Sequence, residues 1–199
     1  MNNGTRLKII LLGESGVGKT NIINVALGNE FNPNSLSSVH SSFLEGILEY
    51  KNIKYPYALW DTAGQEIYRS LNQIFIKDSK IVIFVYSIEN KDSFNQIEFW
   101  IKNAKETLGK GKYIMALLGN KSDLIDEQVV PDVDAKNLAK RLNMKLIITS
   151  ALNDPEGIKN YIRELIIDYI NFIYPEEEQS FSFKLSTPKK DKKKQKKCC

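Results

Sequence analysis

An α/β fold, with six strands in a mostly parallel sheet, one antiparallel hairpin and helices on both faces, follows from two features of the chain. Short apolar runs rich in branched residues alternate with longer stretches of helical period. The runs at 42–50 and 53–60 are joined by Lys51-Asn52 alone, which is hairpin spacing and leaves no room for a crossover.

In chain order, residues 7–12 read Leu-Lys-Ile-Ile-Leu-Leu, the near-continuous apolar run of a strand covered on both faces. Residues 19–27 follow with helical spacing. The 42–50 run is more amphipathic than its partner at 53–60. Residues 80–86 hold the longest apolar run, Ile81 to Tyr86, and read as a further strand. A helix over 93–108, a strand over 113–118, a helix over 133–142, a strand over 145–149 and a helix over 155–174 complete the alternation. The last helix stops at Tyr174, because Pro175 disfavours the helical conformation of the residue before it.

With 199 residues the chain has room for one domain with a full core. Residues 1–174 are expected to form it, and 175–199 a disordered basic tail with too little apolar surface to offset its ordering entropy. The net charge of +4 sits in that tail, which holds 8 Lys and 4 acidic residues; the remaining 20 basic and 20 acidic residues cancel. A neutral body argues against nucleic acid as the partner and leaves the tail for an anionic one. No apolar run approaches the roughly 18 residues of a membrane span. The start, Met-Asn-Asn-Gly-Thr-Arg, has no secretory apolar region. The two cysteines, Cys198 and Cys199, are adjacent and staple nothing, and a lone His40 gives no Cys/His metal set, so a reducing cytosolic setting is expected.

Three motifs carry the chemistry. Gly13-Glu14-Ser15-Gly16-Val17-Gly18-Lys19-Thr20 lies between the first strand and the first helix and fits G-x-x-x-x-G-K-[ST]. Its glycines let consecutive N–H groups turn inward onto phosphate oxygens, and the helix adds its positive end. Ser15, Gly16, Val17 and Gly18 would line the cradle, Lys19 would reach the β- and γ-phosphates, and Thr20 would offer its hydroxyl to Mg²⁺. The spacing is not the dinucleotide G-x-G-x-x-G.

The second motif, Asn120-Lys121-Ser122-Asp123, follows a strand one strand–helix unit before Ser150-Ala151. The Asp123 carboxylate can accept from guanine N1–H and N2–H₂, donors that adenine lacks. Lys121 can lay its stem along the base, and a backbone N–H at Ser150-Ala151 can meet the guanine carbonyl. The third motif, Asp61-Thr62-Ala63-Gly64-Gln65, ends a strand: Asp61 can hold Mg²⁺ through water, Gly64 can bring its N–H to a γ-phosphate, and Gln65 can orient the attacking water. The plainer alternatives are a helix cap at Asp61-Thr62 and a solvated glutamine.

In this order and spacing the motifs resemble the Ras superfamily of small GTPases. Tyr68-Arg69-Ser70-Leu71, the helix with Trp100 and the Lys-rich Cys-Cys ending narrow the resemblance to the Rab family. Leu12-Gly13-Glu14, the stretch from Ser37 to Leu44 and Lys77-Asp78-Ser79 are similar to its early-endosomal branch of Rab five and Rab twenty-one. The resemblance implies the P-loop small-GTPase fold, GTP or GDP as bound nucleotide and Mg²⁺. It places Phe31 on the guanine edge, Ser38 at a metal- and γ-phosphate-sensing position usually threonine, and Phe43, Trp60 and Phe75 on an effector-reading surface. Ile67 and Leu152 depart from the usual arginine and lysine.

The implied partners are an exchange factor, a GTPase-activating protein, a GDP-dissociation inhibitor and effectors, with the chain itself a monomer. Prenylated Cys198 and Cys199 would hold it on the cytoplasmic face of endosomal or other endomembranes, cycling with the cytosol. The implied activity is a slow GTP hydrolysis that works Gln65 and Lys19 and times vesicle traffic. Two other readings stand at this point: a scaffold that binds GTP with little or no turnover, and a P-loop ATPase or small-molecule kinase, which the N-K-x-D motif opposes.

Overall fold

A computed structural model describes residues 6–33, 42–61 and 72–175. Its strands are β1 (Leu7–Leu12), β2 (Ser42–Tyr50), β3 (Ile53–Asp61), β4 (Ile81–Ser87), β5 (Ile114–Asn120) and β6 (Lys145–Ile148). They form one six-stranded sheet in the order β2-β3-β1-β4-β5-β6. All neighbours are parallel except β2 and β3, which run antiparallel with Phe43 opposite Trp60 and Tyr50 opposite Ile53. The hairpin turns at Lys51 and Asn52, both with positive φ (52° and 61°). Positive φ at both central residues is the type I′ geometry whose twist matches the flanking strands.

The helices are α1 (Lys19–Ala26), α2 (Asn72–Ile76), α3 (Lys91–Asn95), α4 (Ile97–Leu108), α5 (Asp132–Arg141) and α6 (Pro155–Ile173). The two-residue period of the strands sorts their side chains into two cores. Leu7, Ile9 and Leu11 of β1, with Ile81, Ile83 and Val85 of β4 and Leu118 of β5, pack against Ile22 and Val25 of α1 and Ile158, Ile162 and Ile166 of α6. Ile10 and Leu12, with Val82, Phe84 and Leu117, meet Ile97, Trp100 and Ala104 of α4 and Ala135 and Leu138 of α5 on the other face. Strands apolar at every position are thus used on both sides. Burying each such side chain contributes about 1.5–3 kcal/mol.

The expected helix over 93–108 begins earlier and is interrupted. The Asn90 side chain accepts from Ser93 N at 2.9 Å and starts α3 at Lys91. At Gln96, where ψ relaxes to −9°, the path divides into α3 and α4. Short α2 escaped the sequence reading, since five residues are too few to display a period. It is held by Ile76, which is fully buried in the second core. The remaining bounds move by one or two residues.

α6 starts on Asp154, whose Oδ1 accepts from Gly157 N at 2.9 Å, with Pro155 in the first turn. Its Tyr161 hydroxyl lies 3.0 Å from the Leu117 carbonyl and 2.8 Å from the Lys145 carbonyl, bridging β5 and β6. Burial raises the phenol's pKa. Tyr161→Phe is expected to lower stability by about 1–2 kcal/mol, read as a fall of a few degrees in Tm with GTP affinity unchanged.

Candidate functional site

The parallel strands β1, β4, β5 and β6 deliver their loops to one end of the sheet. Three of those loops converge there. Between β1 and α1, residues 13–18 curl under glycine control: Gly16 and Gly18 have φ of 76° and 94°, which L side chains rarely adopt. α1 then begins without a side-chain cap and without an acidic residue in its first turn. With no acid competing there, the positive end of the helix dipole favours an anion at this terminus.

Lys19 is buried at 5% exposure. Its Nζ donates to the carbonyls of Gly13 and Glu14, both at 2.8 Å, which draws the ammonium back over the loop. Burial pushes this ammonium down to about 8, with Asp61 and Glu14 pulling the other way. Without a phosphate partner Lys19 is expected to lose its charge as pH rises through about 8, and phosphate oxygens would restore it. Triphosphate binding is expected to take up one proton above that pH, and affinity to fall by up to about tenfold per pH unit there. Calorimetry in buffers of different ionisation heat reads that proton directly.

The Thr20 hydroxyl donates to Asp61 Oδ2 at 2.8 Å, with Asp61 buried at the end of β3. Two hard oxygens so placed beside the cradle suit Mg²⁺, which binds few protein oxygens and fills its shell with water and phosphate. Among the described residues no three His, Cys, Asp or Glu side chains form a metal cluster.

Asn120, 2% exposed at the end of β5, ties the loops together. Its Nδ2 donates to the Val17 carbonyl at 2.9 Å, and its Oδ1 accepts from Ala151 N at 3.0 Å. A base carbonyl would share that Ala151 donor. The Ser150 hydroxyl donates to Asp123 Oδ1 and accepts from Leu152 N and Asn153 N, both at 3.1 Å. This fixes the Asp123 carboxylate against the loop after β6. Lys121, held at φ 65°, places its Nζ 2.6 Å from Glu89 Oε1.

Three contacts were not legible in the motifs. Glu89 is one. Asn21 is another: its amide donates to the Asn32 carbonyl and its oxygen accepts from Asn32 N, both at 3.0 Å, pinning the segment with Phe31 beside α1. Phe31 packs on the first core. The third is Trp100, whose indole N–H donates to Glu14 Oε1 at 3.1 Å and braces the cradle against α4. A turn carboxylate, an asparagine in the first turn of α1 and a core-facing tryptophan are each ordinary residues in their own segments, so none of these contacts left a sequence signal.

Phe43 and Trp60 stack with centroids 4.9 Å apart, and Lys8 Nζ lies 4.5 Å from the Trp60 ring. Phe43 is 48% exposed, and Trp60 and Phe75 lean on the second core. Ser38, Gly64, Gln65, Cys198 and Cys199 lie outside the described residues, as does the tail beyond Pro175. No helix among the described residues is long and apolar enough to cross a membrane.

Comparison with known proteins agrees with this geometry. The model of the Ras family matches residues 8–171. Human Ras-related protein Rab-22A is 35% identical over 147 residues, which cover 74% of this chain and 75% of the relative. Ras-related protein Rab-21 of Geodia cydonium is 38% identical over 146 residues, 73% of this chain and 63% of its own length. Ras-related protein Rab-11B of Dictyostelium discoideum is 36% identical over 167 residues, 84% of this chain and 73% of its own length.

Proposed function

We propose a residue-level cycle for this chain from one premise: it belongs to the Ras family and is a Rab-type small GTPase of vesicular and endosomal traffic. It binds GTP and GDP, hydrolyses GTP, and works with regulators and effectors at endomembranes. The alternative of a scaffold without turnover is not favoured.

In the proposed cycle the N–H groups of residues 13–18 and the start of α1 hold the phosphates of one nucleotide, and Asp123 reads its guanine. The observation that carries this is Asn120, which bonds the phosphate loop through Val17 and the base loop through Ala151. One side chain thus sets the spacing between both ends of a single ligand. Lys19 leaves the Gly13 and Glu14 carbonyls for the β- and γ-phosphate oxygens, where charge develops as the terminal phosphoryl departs. Lys121 lies along the base with Ser150 and Ala151 at its edge, and Phe31 covers the far side. Thr20, Asp61 and Ser38 would hold Mg²⁺, which would neutralise phosphate charge there. Gly64 meets the γ-phosphate and Gln65 orients the attacking water. Loss of that phosphate releases the segments around Ser38 and Gln65, and Phe43, Trp60 and Phe75 present the difference to effectors.

The 30–33 and 42–43 segments contain no arginine, nor do 34–41, so charge for the leaving phosphoryl comes from an activating protein in trans. An exchange factor reloads the site. A GDP-dissociation inhibitor withdraws a monomer whose Cys198 and Cys199 carry prenyl groups, and the tail lysines add attraction to the cytoplasmic leaflet.

Single-turnover hydrolysis by the purified chain tests the chemistry. The intrinsic rate is expected on the order of 10⁻⁴–10⁻² s⁻¹. Gln65→Leu should slow it at least about tenfold with GTP affinity kept. A fast rate without any partner, or a rate indifferent to Gln65→Leu, would count against the cycle.

A further inference from the structure

The neutral body separates its charges along the strand axis. Because β1, β3, β4, β5 and β6 are parallel, the loops that leave them sit at one end and the loops that lead into β4, β5 and β6 at the other, while antiparallel β2 starts at the first end. The first end holds the nucleotide cleft and gathers Glu89, Asp92, Asp126, Glu127, Asp132 and Asp154, of which Glu89 is paired with Lys121 and Asp132 with Lys136. The second gathers Lys77, Lys80, Lys105, Lys110, Lys112 and Lys140, in the loops before β4 and β5 and the last turns of α4 and α5.

None of these six lysines makes an ion pair with a described residue. The acids nearby are Asp78, Glu106, which faces Lys102 at 4.0 Å, and Glu49, opposite Lys54 in the hairpin; in sequence Glu176, Glu177 and Glu178 follow α6 before the tail lysines. Arg141 and Lys145, at the same end, are engaged by Glu98 and by Glu164 and Asp168.

Complementing helix dipoles accounts for Lys105 and Lys140, which sit in last turns. It does not account for Lys77 and Lys80 beyond five-residue α2, or for Lys110 and Lys112 in the Gly109-Lys110-Gly111-Lys112 loop. Lys77, Lys105, Lys110, Lys112 and Lys140 are exposed. α6 also ends here, at Tyr174, where the hairpin tip adds exposed Lys51 and Lys54, and the sequence runs on into a segment with 8 more lysines.

We propose that this lysine-bearing end of the folded domain lies against an anionic lipid bilayer and turns the nucleotide cleft away from it. Each lysine near such a surface adds attraction, which fades over a Debye length of about 8–10 Å. A seven-residue strand such as β4 spans roughly 23 Å, so the acidic end stands beyond that range when the basic end is down. In the inverted pose the acidic end meets the surface and is repelled. The orientation adds to the prenyl anchor proposed above and does not require it.

The test uses the full chain without prenyl groups, loaded with GDP. It is mixed with phosphatidylcholine vesicles that contain or lack phosphatidylserine. Binding is expected only with phosphatidylserine, and it should weaken as salt rises. The triple variant Lys105→Glu, Lys110→Glu, Lys112→Glu should lower partitioning by about a hundredfold or more, with Tm and GDP affinity unchanged. The corresponding three glutamines should fall between. A tail variant with Lys192, Lys193, Lys194, Lys196 and Lys197 changed to glutamine should keep a residual, salt-sensitive binding that the three glutamates remove. Wild-type partitioning by the triple variant, complete loss in the tail variant, or equal binding to pure phosphatidylcholine would each overturn the proposal. None of these readings depends on whether Cys198 or Cys199 is lipidated.

Discussion

Asp123→Ala is expected to weaken GTP binding by about three to four orders of magnitude while leaving GTP and ATP nearly indistinguishable. The carboxylate is placed by the Ser150 hydroxyl, itself the acceptor for two backbone N–H groups of its own loop. It therefore meets the base without reorganisation. Charge-assisted bonds from guanine N1–H and N2–H₂ contribute about 1.5–3 kcal/mol each, and deleting the acceptor strands both donors against protein. Asp123→Asn makes a sharper control. Its amide turns an N–H toward guanine N2–H₂, so guanine stays poor. Xanthine, with a carbonyl at that position, should gain relative to guanine. Equilibrium competition with fluorescent nucleotide reads all three ligands. Fold integrity is checked by Tm, since the Asp123 side chain supports no strand.

Gly18→Ala should be nearly as severe for a different reason. A Cβ on Gly18 would stand 2.3 Å from Asn120 Nδ2, on a backbone at φ 94°. Something must move, and the atom in the way belongs to the side chain that joins the two loops. Displacing it breaks the bond to the Val17 carbonyl and loosens the one from Ala151 N, each inside a buried shell. An unpaired buried backbone group costs about 1–3 kcal/mol. The expected result is a loss of about a hundredfold or more in GDP affinity together with a lower Tm. Asn120→Ala should reproduce most of both effects. The double variant should then be far from additive, because the two changes remove the same link. Additive losses would mean that Gly18 acts through the phosphate loop alone.

The contrast between those two residues shows what a sequence of this kind exposes. The phosphate loop was legible because it depends on backbone conformation, and glycines at 13, 16 and 18 announce positive-φ or close-approach positions. The sheet was legible because β1 and β4 are apolar at nearly every position, which only a strand covered on both faces tolerates. Asp123 stands out in the sequence because a carboxylate matches guanine's donors, and its base-reading role is the one proposed above. Asn120 was read as one more nucleotide residue, whereas its amide is engaged at both ends by protein. Long-range pairs such as Trp100 with Glu14, or Lys121 with Glu89, leave no local trace, because each partner alone is an ordinary helix or loop residue. The same holds for the charge separation. Composition counts a neutral body, and only the parallel topology sends Lys110, Lys112 and Lys77 to one end and Asp126, Glu127 and Asp132 to the other.

Everything in the proposed cycle depends on one ligand spanning Gly18 and Asp123. Titration of the nucleotide-free protein by calorimetry, in Mg²⁺ and at pH 7, measures that directly. Binding of GTP and GDP at one site per chain, at least about a thousandfold tighter than ATP, is the predicted outcome. Equal affinity for the two purines, or a preference for ATP, would contradict it.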